Sequence, residues 1–273
     1  MLQRLRQWRP LYSWKTLKKV EKITEDAVLW EKEKKYMSTF VIGDIHGEYE
    51  QLKVLLAKMN FGKQDKLYVL GDLVDRGPDP IKVLRFLMRL SNCICLVGNH
   101  EFMAYMGMKI LLKEVTEESV RDFAEEDQEK LKEWMLNGGA VTIADFIGLS
   151  REERKEVMEY LGNLETYVEL EVNGQKYLMV HAGLGNFSEE KPMEEYTLDD
   201  LIWARADYSI PYYKDKIVVT GHTPTQTIPD NPHPGCIYRA NNHIVMDCGA
   251  GFKEGRLAGI CLENGKEYYA KEN

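Results

Sequence analysis

The sequence is short of the features that mark membrane-spanning, disulfide-bonded and nucleic-acid-binding proteins. Among its 273 residues, no apolar run approaches the ~18 residues of a membrane-spanning helix. It has only five cysteines, an odd number with no Cys-x-x-Cys pair, and no secretory signal pattern precedes them. Its net charge of −8 does not favour nucleic acid as a partner. We therefore expect a reduced, cytoplasmic protein that neither spans a membrane nor binds nucleic acid.

The first 36 residues differ in charge from the rest of the chain. They hold ten Lys or Arg against five acidic residues, within a chain that is acidic overall. Their apolar residues recur at roughly helical spacing, at Trp14, Leu17, Val20, Ala27 and Trp30. Such a segment could rest on an anionic surface or a partner, or it could be dispensable, with Met37 as the natural start. We predict a basic extension over residues 1–36 and a catalytic domain over residues 37–273.

Three consecutive segments after the extension share one pattern of strand, polar turn and helix. Their glycine-bearing turns occupy residues 43–47, 71–78 and 98–101. Repeats of this kind favour a largely parallel sheet with right-handed crossovers. The carboxyl ends of parallel strands meet at one edge of a sheet, where ligands commonly bind. The side chains that we expect to converge there are Asp44, His46, Asp72, Asp75, Arg76, Asn99 and His100.

The next segment, at about residues 113–162, departs from this pattern. It is rich in Glu, Lys and Arg and carries apolar residues at helical spacing, so we predict a helical insertion. Its acidic clusters suit a solvated face, or alternatively a role in substrate selection. Strands return after it, and Asn173-Gly174 predicts a hairpin between two of them. Two of the later strands end at His181-Ala182-Gly183 and at Gly221-His222.

Four of the six histidines directly follow apolar strands and lie next to glycines: His46, His100, His181 and His222. A single histidine in this position is commonly a hydrogen-bonded structural residue, but four in one context are hard to ascribe to chance. Asp72 and Asp75 lie in a similar turn, where they repel each other unless a positive charge is close. A solvated acidic turn with Arg76 as partner is the alternative. Carboxylate, imidazole and amide ligands suit Mn²⁺, Fe or Zn²⁺, so we predict a divalent metal site.

Taken together, these motifs resemble those of the phosphoprotein phosphatase family within the calcineurin-like metallophosphoesterases, and its small bacterial and phage-type members above all. The matching motifs are GDIHG at 43–47, GDLVDRG at 71–77, GNHE at 98–101, HAG at 181–183 and GH at 221–222. The resemblance covers about residues 37–262. It implies an α/β fold: a calcineurin-like β-sandwich flanked by helices, with a helical insertion.

The resemblance also implies two divalent metal ions, with Mn²⁺ expected and Fe or Zn²⁺ as alternatives. One ion would be held by Asp44, His46 and Asp72, and the other by Asp72, Asn99, His181 and His222. His100 would be the general acid, and Asp75 would orient and charge its imidazole. Phosphate oxygens would be bound by Arg76, Arg205 and Asn99. The assignment of Arg205 rests on weaker local similarity, and a salt bridge to Asp199, Asp200 or Asp207 is its alternative.

The resemblance predicts a metal-dependent serine/threonine protein phosphatase, with phosphoproteins as partners and attack by a hydroxide held between the two ions. A symmetrical dinucleoside tetraphosphatase of the same superfamily is the first alternative, and a degenerate, non-catalytic binding module is the second. Tetraphosphatases typically carry Asp at the position of Glu101 and lack an acid at Asp75, so both residues favour the protein phosphatase. A binding module predicts lost ligands, and none is lost in this sequence.

Overall fold

The computed structural model describes residues 38–113 and 125–272. The predicted basic extension over residues 1–36 lies outside the described residues, as does the acidic stretch at 114–124. The division of the chain at residues 36 and 37 therefore stays a prediction.

Two five-stranded mixed sheets form the centre of the described fold. In chain order the strands are β1 (Thr39–Ile42), β2 (Lys66–Val69), β3 (Cys93–Cys95), β4 (Tyr167–Val172), β5 (Gln175–Val180), β6 (Lys216–Thr220), β7 (Tyr238–Ala240), β8 (His243–Val245), β9 (Ala258–Cys261) and β10 (Glu267–Tyr269). The first sheet has the order β10-β9-β1-β2-β3, and the second has the order β4-β5-β6-β8-β7. Strands β1, β2 and β3 are parallel to one another, as are β5, β6 and β8.

Helices cover the outer faces of this pair of sheets. The α-helices are α1 (Tyr49–Lys58), α2 (Pro80–Leu87), α3 (Asn99–Leu111), α4 (Glu125–Trp134), α5 (Ala140–Ile147), α6 (Arg151–Gly162) and α7 (Leu198–Ile202). A π-helical turn (Met135–Gly139) joins α4 to α5, and Gly138 has a φ of 97° there, a conformation that glycine adopts without steric cost. None of the described helices is long and apolar enough to cross a membrane.

The alternation of side chains along the strands explains the layers. In β1, Val41 packs between the two sheets, whereas Phe40 and Ile42 face the helices on the other side. In β5, Met179 faces the first sheet and Leu178 packs with the region around α7. Successive residues of a strand point to opposite faces, so each central strand contributes to two apolar cores. The predicted α/β sandwich flanked by helices is confirmed.

The local turn predictions are also confirmed. Strands β4 and β5 pair antiparallel across Asn173 and Gly174, both of which have positive φ angles of 50° and 82°. Two consecutive positive φ angles are what a type I′ hairpin turn requires, and Asn-Gly adopts them at low cost. The strands predicted after the helical segment are present, among them β5 and β6, which end just before His181 and Gly221.

We expect deletion of residues 1–36 to leave kcat on p-nitrophenyl phosphate within about a factor of three. The reason is that both sheets and every motif named above lie in residues that follow this segment. Purified full-length and shortened proteins should be compared for kcat and for thermal midpoint. A shortened protein that fails to fold, or that loses most of its activity, would show that the extension belongs to the catalytic domain.

Candidate active site

The polar residues that follow the central strands lie together in the interior. Asp44 follows β1, Asp72 follows β2 and Asn99 begins α3 after β3. His181 and His222 follow β5 and β6 of the other sheet. All of these side chains except that of His222 are buried, and His222 is half-buried. The two parallel sets of strands therefore bring one group of carboxylates, imidazoles and an amide to a single site.

Two overlapping groups of side chains have donor atoms within 4.8 Å of one another in the described part of the chain. The first is formed by His46, Asp72 and His100, and the second by Asp72, His181 and His222. Asp72 is common to both, with its Oδ2 atom 3.6 Å from His46 Nε2 and its Oδ1 atom 3.4 Å from His181 Nε2. Asp44, predicted as a ligand, is in neither group, and its carboxylate accepts the backbone N–H of His222 at 3.0 Å.

Two lone pairs at the second group, on His181 Nε2 and Asn99 Oδ1, face each other with no proton between them. His181 donates its Nδ1–H to the carbonyl oxygen of Leu70 at 2.8 Å, which leaves Nε2 as an acceptor. That Nε2 atom lies 3.0 Å from Asn99 Oδ1, itself 2.9 Å from His222 Nδ1. Burial lowers the pKa of His181, and it lowers that of His222 to about 3, so both imidazoles are neutral. Oxygen and nitrogen lone pairs that converge in this way fit a divalent cation.

Carboxylates around the site repel one another. Burial, followed by the charges of Asp247 and Asp72, raises the pKa of Asp44 well above its ordinary value. Burial also raises the pKa of Asp247 to about 6. A bound cation would offset this repulsion. The charges of these carboxylates therefore fit a divalent cation, as do the lone pairs of His181 and Asn99.

Arg76 brings a positive charge to the first group. Its guanidinium donates to Nε2 of His46 at 2.7 Å and to Nε2 of His100 at 3.0 Å. The same guanidinium lies 4.7 Å from the ring centre of Phe252, which is exposed at the rim. The predicted phosphate-binding arginine is therefore at the site, where it contacts the two imidazoles.

His100 and Asp75 form the predicted pair. His100 donates its Nδ1–H to Asp75 Oδ2 at 2.7 Å, and both side chains are buried. The Nε2 atom of His100 faces the cluster, the group formed by Asp44, His46, Asp72, Asn99, His181 and His222. It lies 3.9 Å from Asp72 Oδ2. The geometry lets Asp75 orient the imidazole, and Nε2, which accepts from Arg76 in this structure, would face a reacting group once Arg76 moves away. The role of His100 in proton transfer stays a prediction.

The backbone at the site is held in an uncommon conformation. Ten non-glycine residues of the described chain have positive φ angles, and five of them are asparagines, which tolerate this region. The other five are His46, Asp72, Asp75, Arg76 and His222. A residue held in a sparsely populated backbone region costs of order 1–3 kcal/mol, and it persists only where the surrounding structure imposes the conformation. Strain of this kind is concentrated at the cluster, as is common for functional sites.

Glu101 holds the strained turn after β2. Its buried carboxylate accepts the backbone N–H groups of Asp72 and Leu73, each at 2.7 Å, and that of Gly98 at 2.9 Å. It thereby ties the turn that carries Asp72 to the start of α3. The carboxylate of Glu101 is therefore satisfied by backbone N–H donors, and it is not itself one of the predicted metal ligands.

Glycine is required next to two of the carboxylates. A Cβ atom on Gly98 would lie 2.2 Å from Asp72 Oδ1, and one on Gly221 would lie 2.0 Å from Asp44 Oδ1. Both distances are far below van der Waals contact, so any side chain at either position would displace the carboxylate.

Arg205 lies at the exposed rim of the site. It donates through Nη1 to the carbonyl oxygen of His222 and to Thr223 Oγ1, each at 3.0 Å. These contacts replace the alternative salt bridge to neighbouring aspartates. Trp203 is also at this rim, with its ring centre 6.3 Å from that of His222.

The sequence analysis did not identify Asp247, whose charge acts on Asp44, or Trp134 and Thr142, which bond to Asp75. Asp247 has a signal that could have identified it, since it follows β8 and precedes a Cys-Gly pair, much as the histidines follow their strands. Trp134 and Thr142 both donate to the carboxylate of Asp75. They had no such signal, because Trp134 is spaced as an ordinary core residue of a helix and Thr142 stands out in no motif.

Comparison with known proteins gives a consistent superfamily. A profile of the Calcineurin-like phosphoesterase family matches residues 37–251. The chain is 37% identical over 129 residues to a protein of Erwinia tasmaniensis named "Bis(5'-nucleosyl)-tetraphosphatase, symmetrical", a match that covers 46% of this chain and 44% of that protein. The chain thus spans less than half the length of the curated relatives that it matches.

Two solved structures share the fold. A putative diadenosine tetraphosphatase is 21% identical with a TM-score of 0.58, and the match covers 86% of this chain and 93% of that one. A protein serine/threonine phosphatase from Saccharomyces cerevisiae is 14% identical with a TM-score of 0.52, covering 87% of this chain and 81% of that one. At such identities both matches show the fold alone.

The prediction of a serine/threonine protein phosphatase acting on phosphoproteins is wrong, because the curated relatives are named symmetrical tetraphosphatases. The structure gives a physical reason for the error. Glu101, used to separate the two activities, is occupied by backbone N–H groups. Asp75 is buried behind His100. Neither side chain is placed to distinguish one phosphorylated substrate from another.

Proposed function

The chain belongs to the calcineurin-like phosphoesterase family and is a hydrolase, and on this premise we propose that it cleaves dinucleoside tetraphosphates symmetrically into two nucleoside diphosphates. The observation that carries the proposal is the shared name of its curated relatives, the first of which is 37% identical over 129 residues. The buried cluster of carboxylates and imidazoles supports the reaction class, since it suits hydrolysis of a phosphate bond.

Members of the family use a pair of metal ions, and the donor atoms of this site fit such a pair. We propose that Asp44, His46 and Asp72 hold one ion, and that Asp72, Asn99, His181 and His222 hold the other. When bound, the ions would polarise the phosphoryl group and make a water molecule more acidic. Asp72 lies between the two groups, which supports a role as the shared ligand.

Two arginines bind the polyphosphate in this proposal. Arg76 is half-buried beside the first group, and Arg205 is exposed beside His222 at the second. A guanidinium presents a planar fork of N–H donors that matches two phosphate oxygens. Asn99, at the start of α3, is the third predicted phosphate contact. Arg76 must leave the imidazoles of His46 and His100 to reach the substrate.

His100 supplies a proton to the leaving group. When Arg76 moves onto phosphate, Nε2 of His100 is free to carry a proton, and Asp75 stabilises the resulting charge. The leaving group of a tetraphosphate cleaved in the middle is a nucleoside diphosphate. Its oxygen is much less basic than an alkoxide, so this substrate depends on the proton less than an alkyl ester does.

We expect the metal-loaded protein to convert diadenosine tetraphosphate into ADP as the sole nucleotide product. Cleavage at the central anhydride yields two identical diphosphates, whereas asymmetric cleavage yields AMP and ATP. The products should be separated by chromatography, with His181→Asn protein as the control for contaminating hydrolases. Values of kcat/KM should be measured in parallel for a phosphoserine peptide. AMP and ATP as products, or a preference for the peptide, would contradict the proposal.

A further inference from the structure

We propose that Trp134 and Thr142 are positioning residues of the active site, which fix the carboxylate of Asp75 and, through it, the imidazole of His100. The inference rests on the proposed role of His100 as proton donor. In this proposal the helices at residues 125–147 do more than pack against the rest of the fold, because they also hold side chains of the active site in place.

The carboxylate of Asp75 is surrounded by three donors. Trp134 Nε1–H lies 3.0 Å from both of its oxygens. Thr142 Oγ1–H donates to Oδ1 at 2.6 Å, and His100 Nδ1–H donates to Oδ2 at 2.7 Å. Asp75 is fully buried, and among the residues that the structure describes these three groups donate to its carboxylate and orient it. Hydrogen bonds to a charged acceptor are stronger than neutral ones, which favours a single orientation.

The same helices also hold the backbone of the turn. Thr142 Oγ1 accepts the backbone N–H of Asp75 at 3.0 Å, and the carbonyl oxygen of Gly138 accepts that of Arg76 at 3.1 Å. Asp75 and Arg76 have φ angles of 70° and 65°, in the left-handed region that non-glycine residues adopt uncommonly and arginine more rarely than aspartate. Contacts from the insertion thus impose the conformation that aims both side chains at the site.

Trp134 has little freedom to move away from Asp75. Its ring is fully buried, and two glycines make room for it. A Cβ atom on Gly107 would lie 2.2 Å from the ring, and one on Gly139 would lie 2.4 Å from it. A core position needs an apolar ring only, whereas here the N–H edge of the indole bonds to the carboxylate of Asp75. This placement distinguishes positioning from packing.

If Asp75 is free to rotate, His100 loses its orientation and its charge partner. We therefore expect Thr142→Val, which keeps the shape and removes the hydroxyl, to lower kcat on phenyl phosphate about tenfold or more. Trp134→Phe, which keeps a ring and removes the N–H, should act in the same direction. The loss on p-nitrophenyl phosphate should be small, because nitrophenolate leaves without a proton. Metal content should be unchanged in both variants.

A double-mutant cycle separates positioning from structural damage. In an Asp75→Asn background, Thr142→Val should cost much less kcat than it does in the wild-type protein, because its hydrogen-bond partner is already altered. Thr142→Ser retains the hydroxyl, so its kcat on phenyl phosphate should be close to that of the wild-type protein and well above that of Thr142→Val. The matched control is Phe146→Leu in the same helix, which should lower thermal stability with no dependence on the leaving group.

The proton on His100 Nδ1 gives a second measurement that does not depend on turnover. Its resonance in a proton NMR spectrum should shift in Thr142→Val and Trp134→Phe, and should keep its position in Phe146→Leu. Equal losses of kcat on the two aryl phosphates, additive effects in the cycle, or an unchanged resonance would each overturn the inference. These measurements use aryl phosphates, so failure to cleave diadenosine tetraphosphate would overturn the proposed substrate alone.

Discussion

Exhaustive chelation is expected to abolish hydrolysis of both diadenosine tetraphosphate and p-nitrophenyl phosphate, with a loss of at least about a thousandfold, and added Mn²⁺ should restore it. The donor set is buried and its imidazoles are neutral, which is the form that binds metal. The mutual repulsion of Asp44, Asp72 and Asp247 also makes the site unfavourable without a cation. Binding should therefore raise thermal stability as well, by about 2.7 kcal/mol at a free metal concentration 100 times Kd.

The corresponding variant is His181→Asn, which removes a nitrogen that faces both Asn99 and Asp72. This variant should lose metal, and its kcat should fall on both diadenosine tetraphosphate and p-nitrophenyl phosphate. His233→Asn is the matched control, since His233 is exposed in a loop away from the cluster. Metal content by elemental analysis, kcat and thermal midpoint should be measured on the same samples. Full activity in a protein shown to be free of metal would refute the two-metal assignment.

His100→Asn is expected to retain metal and to lose activity according to the leaving group. General acid catalysis is worth typically ~10²–10⁴-fold, and the need for it grows with the basicity of the departing oxygen. The kcat on phenyl phosphate should thus fall far more than the kcat on p-nitrophenyl phosphate or on diadenosine tetraphosphate, because nitrophenolate and a nucleoside diphosphate are both weakly basic leaving groups. Asp75→Asn should show the same order more weakly, because it only orients and charges the imidazole.

The measurement is kcat on the three substrates, with metal content determined in parallel. His243→Asn provides a control for loss of a buried imidazole, since His243 bonds to the carbonyl oxygen of Ile210 and lies outside the cluster. Equal losses of kcat on all three substrates, with metal retained, would show that His100 does not donate the proton. Loss of metal would instead assign it to the coordination shell, where its distance of 3.9 Å from Asp72 places it within reach.

The parts of the fold and site that could be predicted are those encoded in short segments. The polar turns after β1, β2, β5 and β6 each follow an apolar strand directly, and parallel pairing brings their side chains to one edge. The hairpin at Asn173-Gly174 depends only on two backbone angles. Information of this kind is present in fewer than ten consecutive residues, so it can be recognised without knowing the tertiary structure.

The remaining features depend on contacts between distant parts of the chain. Trp134 and Thr142 reach Asp75 across 59 and 67 residues, and nothing in their local pattern indicates a polar partner. Arg76 contacts imidazoles that lie 30 and 24 residues away. The prediction of the substrate was wrong for a related reason. It relied on Glu101 and Asp75, but the buried carboxylate of Glu101 accepts backbone N–H groups of the turn after β2, and that of Asp75 bonds to His100.

The close contacts of Gly98 and Gly221 with the carboxylates of Asp72 and Asp44 have a consequence for how this site can evolve. Each glycine has no functional group, yet replacing it moves a carboxylate as surely as mutating the aspartate itself. We therefore expect substitutions at these two positions to be tolerated as poorly as substitutions of the predicted ligands. Activity thus depends on Gly98 and Gly221 because neither has a side chain that would displace a carboxylate.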